Sequence, residues 1–377
     1  MTVGIICEYN PFHNGHIYHI NKIKKMYPDC TIIAVMSGAI TQRGDISIIN
    51  KWDKAEIALN HGIDLIVELP FNYAVQSADL FAKGAIEILN SLFVDVIIFG
   101  SESNNINNLK KLAKIQMSNK YNNLVLEYSK KLSYPEATGK ALEELSNITV
   151  NSPNDILGLS YIKEIIKNKY NIDVKTIKRT NDYTSKKLEE IASATSIRYA
   201  IKNDIDIKDY VPIDTLNKID KDLFLDKYFN YIKYKILSTD DLTYIFGIDD
   251  KISPRIKKGI IKADNIETLI KNIKTKKYPY NRIKRVLIYI LIDFKKTDFK
   301  EENYIRVLGF NTKGKLYLQK VKKDIKLPVI TNYSNSNGLA DIDIKINNIL
   351  TLNKDNQQEA MEKELKEVIR KLDIKSN

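Results

Sequence analysis

The 377-residue chain is short of several things at once, and each shortage closes off a class of protein. Its 2 cysteines, Cys7 and Cys30, sit in or beside apolar runs. That leaves no disulfide framework and makes both expected buried thiols. No apolar run is long enough to cross a bilayer: Val286 to Ile292 stops well short. A basic N-terminal region followed by a long apolar core and a small-residue cleavage site is also missing, so the expected location is the cytoplasm. Acidic residues are outnumbered by basic ones, 47 against 59, for a formal net charge of +12. The excess gives mild support for a polyanionic partner such as nucleic acid, held by counterion release. It is mild because Lys, Ile and Asn are all abundant, as a genomic bias would also make them. The length allows two domains, each able to bury a core.

Histidine is scarce too, and unevenly placed: of 4 in the chain, His13, His16 and His19 fall within the first twenty residues, and His61 is the other. They follow an apolar run, Val3 to Cys7, that reads as a buried strand. Asn10-Pro11 ends it, because proline has no N–H for a sheet and pushes the residue before it out of helical space. From about Gly15 the spacing of Ile17, Ile20 and Ile23 is helical, which puts His13 and Gly15 at the helix entrance and His16 in its first turn. Strand, short loop and helix N-terminus together predict an anion site fed by free N–H groups and the helix dipole, with Gly15 open to close approach by a phosphate. Two other readings stand beside it. The histidines are ordinary polar residues on a helix, or His16 and His19, one turn apart, begin a zinc site. The second lacks a third ligand, since no other Cys or His pair has ligand spacing.

Further along, strand-length apolar runs alternate with amphipathic helices. Thr31 to Val35 leads into Met36-Ser-Gly-Ala-Ile-Thr-Gln-Arg-Gly44, and Leu65 to Val67 ends at Glu68-Leu-Pro70. Val94 to Phe99 closes on Gly100-Ser-Glu102, and Val174 to Lys178 delivers Arg179. Helices are expected at Trp52–Leu59, Ser77–Leu89 and Ile156–Asn168, the last opened by the loop from Asn151 to Gly158. This order predicts a parallel, doubly wound (Rossmann-like) α/β sheet covered on both faces, with its ligand beyond the carboxyl ends of the strands. Lys110 to Leu145 reads as a helical insertion or lid. Ile191-Ala-Ser-Ala-Thr-Ser-Ile-Arg198 offers hydroxyls at a helix start followed by an arginine, which suits phosphates; plain helix capping by Ser193 is the other reading.

From Asp204 onward the alternation stops and helical stretches take over. The chain divides into an α/β part, residues 1–204, and a mainly helical basic part, residues 205–377. Lys274 to Arg285 interleaves base and aromatic and is the candidate nucleic-acid segment, with Lys276, Lys277, Arg282, Lys284 and Arg285 as its phosphate contacts; a solvated face is the alternative. Past Asn353 the tail reads as a charged amphipathic helix. Gly309 to Lys315 spells most of a P-loop, but Leu316 stands where a Ser or Thr must reach magnesium. It is expected to be a turn between helices.

These residues also carry a resemblance. His13-Asn-Gly-His16 is similar to the His-x-Gly-His motif of a nucleotidyltransferase superfamily. Glu8 to His16, Met36-Ser-Gly38, Gln42-Arg-Gly44, Glu68-Leu-Pro-Phe71, Ala74 to Asp79 and Phe99-Gly-Ser-Glu102 together resemble the bacterial tRNA(Met) cytidine acetate ligases. The likeness runs across most of the chain. It implies activation of acetate by ATP, with magnesium held mainly by the triphosphate, and transfer of acetyl to N4 of the wobble cytidine of elongator tRNA(Met). It implies catalytic roles for His13 and His16 on the α-phosphate. ATP would lie against Ile6, Cys7, Glu8, Tyr9, Asn10, Pro11, Phe12, His13, Asn14, Gly15, His16, Ile17, Tyr18 and His19. Gly100, Asn154, Arg179, Ser193, Thr195 and Arg198 complete that expected site. Residues 191–198 resemble the superfamily's second motif, Ile-Ser-Ser-Thr-x-Ile-Arg, with Ala194 in place of one hydroxyl. No metal ligands and no membrane contact are expected. The rival enzyme is a nucleotidyltransferase that adenylylates a small phosphorylated metabolite, which gives the basic helical half no task. The non-enzymatic rival is an RNA-binding module, against which the intact His13 and His16 argue.

Overall fold

The computed structural model describes residues 1–179, 192–332, 336–362, 365 and 368–371. The first half alternates as the sequence predicts: β1 (Thr2–Cys7), α1 (Asn14–Met26), β2 (Thr31–Ser37), α2 (Lys51–Asn60), β3 (Leu65–Leu69), α3 (Phe71–Ala74), α4 (Ala78–Ser91) and β4 (Val96–Ser101). Three helices follow, α5 (Ile106–Gln116), α6 (Asn119–Tyr128) and α7 (Tyr134–Ser146), then α8 (Pro153–Asn168), β5 (Asp173–Lys178) and α9 (Ala194–Lys202). All seven residues of β2 and all five of β3 are buried. That is why these strands read as unbroken apolar runs: helices cover both faces of a parallel sheet. β1 pairs with β2 and β4, β2 with β3, and β4 with β5, every pair parallel.

The second half is α10 (Ile213–Leu216), α11 (Phe229–Ser238), α12 (Ser253–Ile261), α13 (Ile266–Ile273), α14 (Tyr280–Leu291), β6 (Ile305–Asn311), α15 (Thr312–Val321), β7 (Val329–Ile330), α16 (Asp341–Leu350), α17 (Gln357–Glu362) and β8 (Ile369–Lys371). The strands correct the expectation of an end to strand formation after Asp204. β6 runs antiparallel beside β3, with Glu68 opposite Arg306 and Val67 opposite Val307, and the sheet order is β5-β4-β1-β2-β3-β6-β7 with β8 also on β6. Ile305, Val307 and Leu308 are buried, so hydrophobic burial fixes Tyr304 to Phe310 in the sheet. Gly309 to Lys315 is accordingly a strand-to-helix junction and not a turn between helices. Asn311 caps α15 by accepting from Gly314 N–H at 2.9 Å, and donates to Asp64 at 2.8 Å. The tail past Asn353 is the short α17 followed by β8, not one long helix.

One hydrophobic core runs from β2 and β3 through α4 and α8 into α11 to α14. Leu109, Leu112 and Ala113 of α5 belong to it, and α5 packs on α8. The stretch read as a lid is therefore a fixed part of the body, because closing it would require pulling apolar side chains from that core. α8 opens at Pro153, three residues before the expected start. Asp155 ties it to the end of β4, accepting from the Ser101 hydroxyl and, at 3.0 Å, from Ser103 N–H. No helix among the described residues is long and apolar enough to cross a membrane.

Candidate active site

β1, β4 and β5 end at one rim, and a cleft of about 220 Å³ opens there. It is lined by the β1 end and its loop, by the 41–45 loop after β2, by Gly100, Asn154 and Arg179, and by Arg198 of α9. Of the expected residues it gathers Ile6, Cys7, Glu8, Tyr9, Asn10, His13, Gly15, His16, Tyr18, His19, Gly100, Asn154, Arg179 and Arg198. Pro11, Phe12, Asn14, Ile17, Ser193 and Thr195 lie outside its lining. Phe12 is fully buried and stacks on His61, with ring centroids 5.2 Å apart. Asn14 spends its amide on Asp209 O at 2.9 Å. Ser193 caps α9 in a reciprocal arrangement with Ser196, which is the capping geometry. Residues 180–191, including Ile191 of the second motif, lie outside the described residues.

The helix entrance differs from expectation in one respect that matters for chemistry. Its first-turn N–H groups are occupied: Asn14 N donates to Tyr210 O at 3.0 Å, Gly15 N to His13 Nδ1 at 3.1 Å and His16 N to His13 O at 2.8 Å. His13 N in turn donates to His16 Nδ1 at 3.1 Å. The two histidines thus form a capping box of their own, a task usually done by Ser and Glu. An Nδ1 that accepts a backbone proton carries none, so in the neutral ring the proton is on Nε2. Each imidazole therefore offers Nε2–H, and both rings line the cleft. Anion contacts fall to these side-chain donors rather than to the backbone. The two rings are tilted 31° to each other with centroids 3.7 Å apart, and the Tyr9 ring lies 4.6 Å from that of His16.

Burial and neighbouring cations keep all three imidazoles uncharged. Burial, then Arg179 and Arg198, takes His13 down to about 3; burial and Arg179 take His19 down to about 4; burial, His13 and Arg179 take His16 well below its usual range. Among the described residues the buried Nε2 of His19 has no hydrogen-bond partner. In the unfolded chain each imidazole takes up a proton near about pH 6.5. Between that pH and the folded values the unfolded state binds more protons, so stability rises with pH through the window and is lost as pH falls. The melting temperature of the free protein is expected to drop between about pH 7 and about pH 4.5, and ATP, whose charge favours imidazolium, to reduce the drop. His13→Gln/His19→Gln should flatten the profile in thermal scans. An unchanged slope would mean these rings titrate normally.

The remaining parts are positioned by polar contacts that sequence reading missed. Glu102 holds two of the expected residues: it accepts from Asn154 Nδ2 at 2.6 Å and lies 3.8 Å from Arg179 Nε. At Gly100 a Cβ would stand 3.1 Å from Arg179 Cγ, so a side chain there would press on the arginine. Glu8 accepts from Gln42 N–H at 2.6 Å, and Lys54, fully buried, donates to the carbonyls of Glu8, Ser37 and Gly38 at 2.8 to 3.0 Å. Gln42 and Arg43 stand in the Gln-Arg-Gly stretch, and Asp45 directly after it, a segment whose role spacing alone did not reveal. Lys276 and Lys277 are exposed, and the Arg282 guanidinium lies 4.8 Å over Tyr278. Lys284 and Arg285, expected on the same surface, turn inward instead: Lys284 pairs with Asp45, and Arg285 Nη1 donates to Gln42 O at 3.3 Å. A second cavity, about 340 Å³, is lined by Glu68, Asp220, Asp343, Asp355 and Glu359 against Lys51 and Lys354, a charge balance unsuited to a triphosphate. Among the described residues no group of three His, Cys, Asp or Glu is placed to hold a metal ion.

A family model described as HIGH Nucleotidyl Transferase matches residues 1–364. A tRNA(Met) cytidine acetate ligase of Geobacillus sp. (strain WCH70) is 39% identical over 358 residues, 89% of each chain. One from Caldanaerobacter subterraneus subsp. tengcongensis is 41% identical over 353 residues, 88% of each. The chain belongs to this ligase family. Two solved structures of Thermotoga maritima TmcAL agree. The apo form has 28% identity and a TM-score of 0.89 over 98% of this chain and 99% of that one. The form bound with alpha-thio ATP has 29% identity and a TM-score of 0.88 over the same shares. The family's nucleotidyltransferase fold and its His-x-Gly-His signature thus coincide here with the cleft built around His13 and His16.

Proposed function

We propose that this enzyme activates acetate with ATP in the β1–β4–β5 cleft and transfers the acetyl group to N4 of the wobble cytidine of elongator tRNA(Met). The observation that carries the reading is the pair of Nε2–H donors of His13 and His16, locked by their own capping box and flanked by Arg179 and Arg198. An acetate oxygen attacks the α-phosphorus, the bond to pyrophosphate breaks, and acetyl-adenylate forms. The cytidine amine then attacks the acetyl carbonyl, loses a proton, and AMP leaves. Donors fixed before the reaction stabilise the charge that grows on the α-phosphate oxygens with little reorganisation. Arg198 and Arg179 serve the rest of the triphosphate, and magnesium comes with the nucleotide, bound to phosphate oxygens and water. Residues 1–204 carry the ATP chemistry; residues 205–377, with the exposed Lys276 and Lys277 and the half-buried Arg282, meet the tRNA. The setting is the cytoplasm.

Purified protein with ATP, magnesium, acetate and tRNA(Met) is expected to produce N4-acetylcytidine, read by mass spectrometry of nucleosides. Support of the reaction by acetyl-CoA, with none from ATP and acetate, would overturn the ligase reading. AMP transfer to a small phosphorylated metabolite without tRNA would favour the other enzyme class.

A further inference from the structure

The loop after β2 is squeezed between the ATP cleft and the basic helix. Thr41 N donates to Asp45 O at 2.8 Å and Gly44 N to Thr41 O at 2.9 Å, closing a tight turn. Gly44 has φ +79°, and a Cβ there would lie 2.8 Å from the backbone nitrogen of Arg285 and 2.9 Å from the carbonyl carbon of Lys284. The second turn of α14 therefore rests directly on the loop, and only glycine allows both the backbone angle and the approach. On its other side the loop presents Thr41, Gln42, Arg43 and Asp45 to the cleft.

Side chains complete the connection. One oxygen of Asp45 pairs with the Lys284 ammonium, and the other lies 3.8 Å from Arg198 Nη2. Arg198 Nη1 donates to Asn10 O at 2.6 Å, at the start of the histidine loop. Arg285 grips the same turn through Gln42 O. Lys284 and Arg285 do not line the cleft, yet Lys284, Asp45 and Arg198 form a continuous chain of alternating charge that ends in it. Only 15% of the Lys284 side chain and 22% of Asp45 is exposed, so solvent screens this pair less than a surface pair.

We infer that Lys284 is a positioning residue for the ATP step: by holding Asp45 it fixes where Arg198 stands for the triphosphate, independently of any contact with tRNA. The inference rests on the reading of the cleft as the ATP site. Without Lys284, Asp45 turns its full charge on Arg198 and on the incoming phosphates, weakening nucleotide binding more than the chemical step. A residue that contacted only tRNA would leave a tRNA-free reaction untouched.

The test is acetate-dependent pyrophosphate release without tRNA, with ATP affinity measured in parallel by calorimetry. Lys284→Met is expected to raise KM for ATP and the calorimetric Kd by about tenfold with a smaller change in kcat, in the range of contacting charged pairs. Lys284→Arg should restore most of the loss. The effect should largely vanish in an Asp45→Asn background, since the cation then has no carboxylate to hold. Lys271→Ala, on the exposed face of α13, controls for lost positive charge. Unchanged ATP affinity in Lys284→Met, or full additivity with Asp45→Asn, would overturn the inference. Should Lys284→Met fail to fold, the isosteric Asp45→Asn and the Lys284→Arg proteins carry the same comparison: equal ATP affinity in Asp45→Asn and the parent would refute it. If the parent binds ATP but releases no pyrophosphate with acetate, the proposed reaction fails while calorimetry still decides the role of Lys284.

Discussion

Replacing His16 with alanine is expected to cut acetate-dependent pyrophosphate release by about 10² to 10³-fold, the loss seen when one fixed oxyanion donor is removed, while ATP affinity falls far less. The reason is the geometry of its ring. His16 Nδ1 is committed to the His13 N–H at 3.1 Å, leaving Nε2–H as the one group that can serve a ligand. Burial holds it neutral in the free protein, so its proposed role is to donate a proton-bearing edge to developing negative charge rather than to offer a fixed positive charge that would bind the ground state equally well. Such a donor lowers the barrier more than it strengthens binding. His16→Ala also removes the acceptor that holds His13 N–H, so His16→Asn is the better-controlled variant if the loop shifts. His19→Ala should lose less, because His19 stands one turn beyond the entrance, although its ring reaches the cleft. Near-normal turnover in both His16 variants would remove the catalytic role. A loss of ATP affinity equal to the loss of turnover would make it a binding residue.

What was readable in the sequence was what local rules control. The β1–α1 unit was legible because Asn10-Pro11 must break a strand and the isoleucines after Gly15 keep helical period. The parallel sheet was legible because β2 and β3 are buried on both faces and so are written without polar interruptions. β6 was not, although Ile305 to Phe310 has strand length, because Arg306 interrupts it. The partner that makes that arginine tolerable, Glu68, is on β3, far away in the chain. The same limit hid the 41–45 loop. Gln42, Gly44 and Asp45 look like turn residues, and their importance lies in Glu8, Arg198 and the α14 backbone, none of them neighbours in sequence. Lys284 and Arg285 were misplaced for a related reason: a run of basic residues gives no sign of which members face a buried carboxylate or carbonyl. The occupied N–H groups of α1 could not be foreseen either, since histidine as the N-cap of a box is not a composition signal.

The pairing of Arg306 with Glu68 leads to the largest expected effect on stability. Glu68 accepts from Lys51 Nζ at 3.0 and 2.9 Å and lies 3.7 Å from Arg306 Nε, while Arg306 Nη1 donates to Asp343 at 3.1 Å. All four side chains are buried. Two cations and two anions balance where burial weakens screening by water, and removing one carboxylate leaves excess positive charge there. Glu68→Gln keeps the shape and some hydrogen bonding but deletes the charge. It is expected to cost about 3 to 5 kcal/mol, as breaking a buried ion pair from one side does. Because Arg306 belongs to β6, the loss should appear as loosening of β6 and its neighbours along with β3. Hydrogen exchange would then rise at Val307 and Leu308 as well as at Val67. Glu68 does not line the β1–β4–β5 cleft proposed to hold ATP, so turnover per folded molecule should stay near the parent value at temperatures well below melting. The measurement is urea unfolding followed by exchange mass spectrometry. A change under about 1 kcal/mol would mean that Lys51 and Arg306 find other partners, and that the junction between β3 and β6 is held by its backbone ladder and apolar packing.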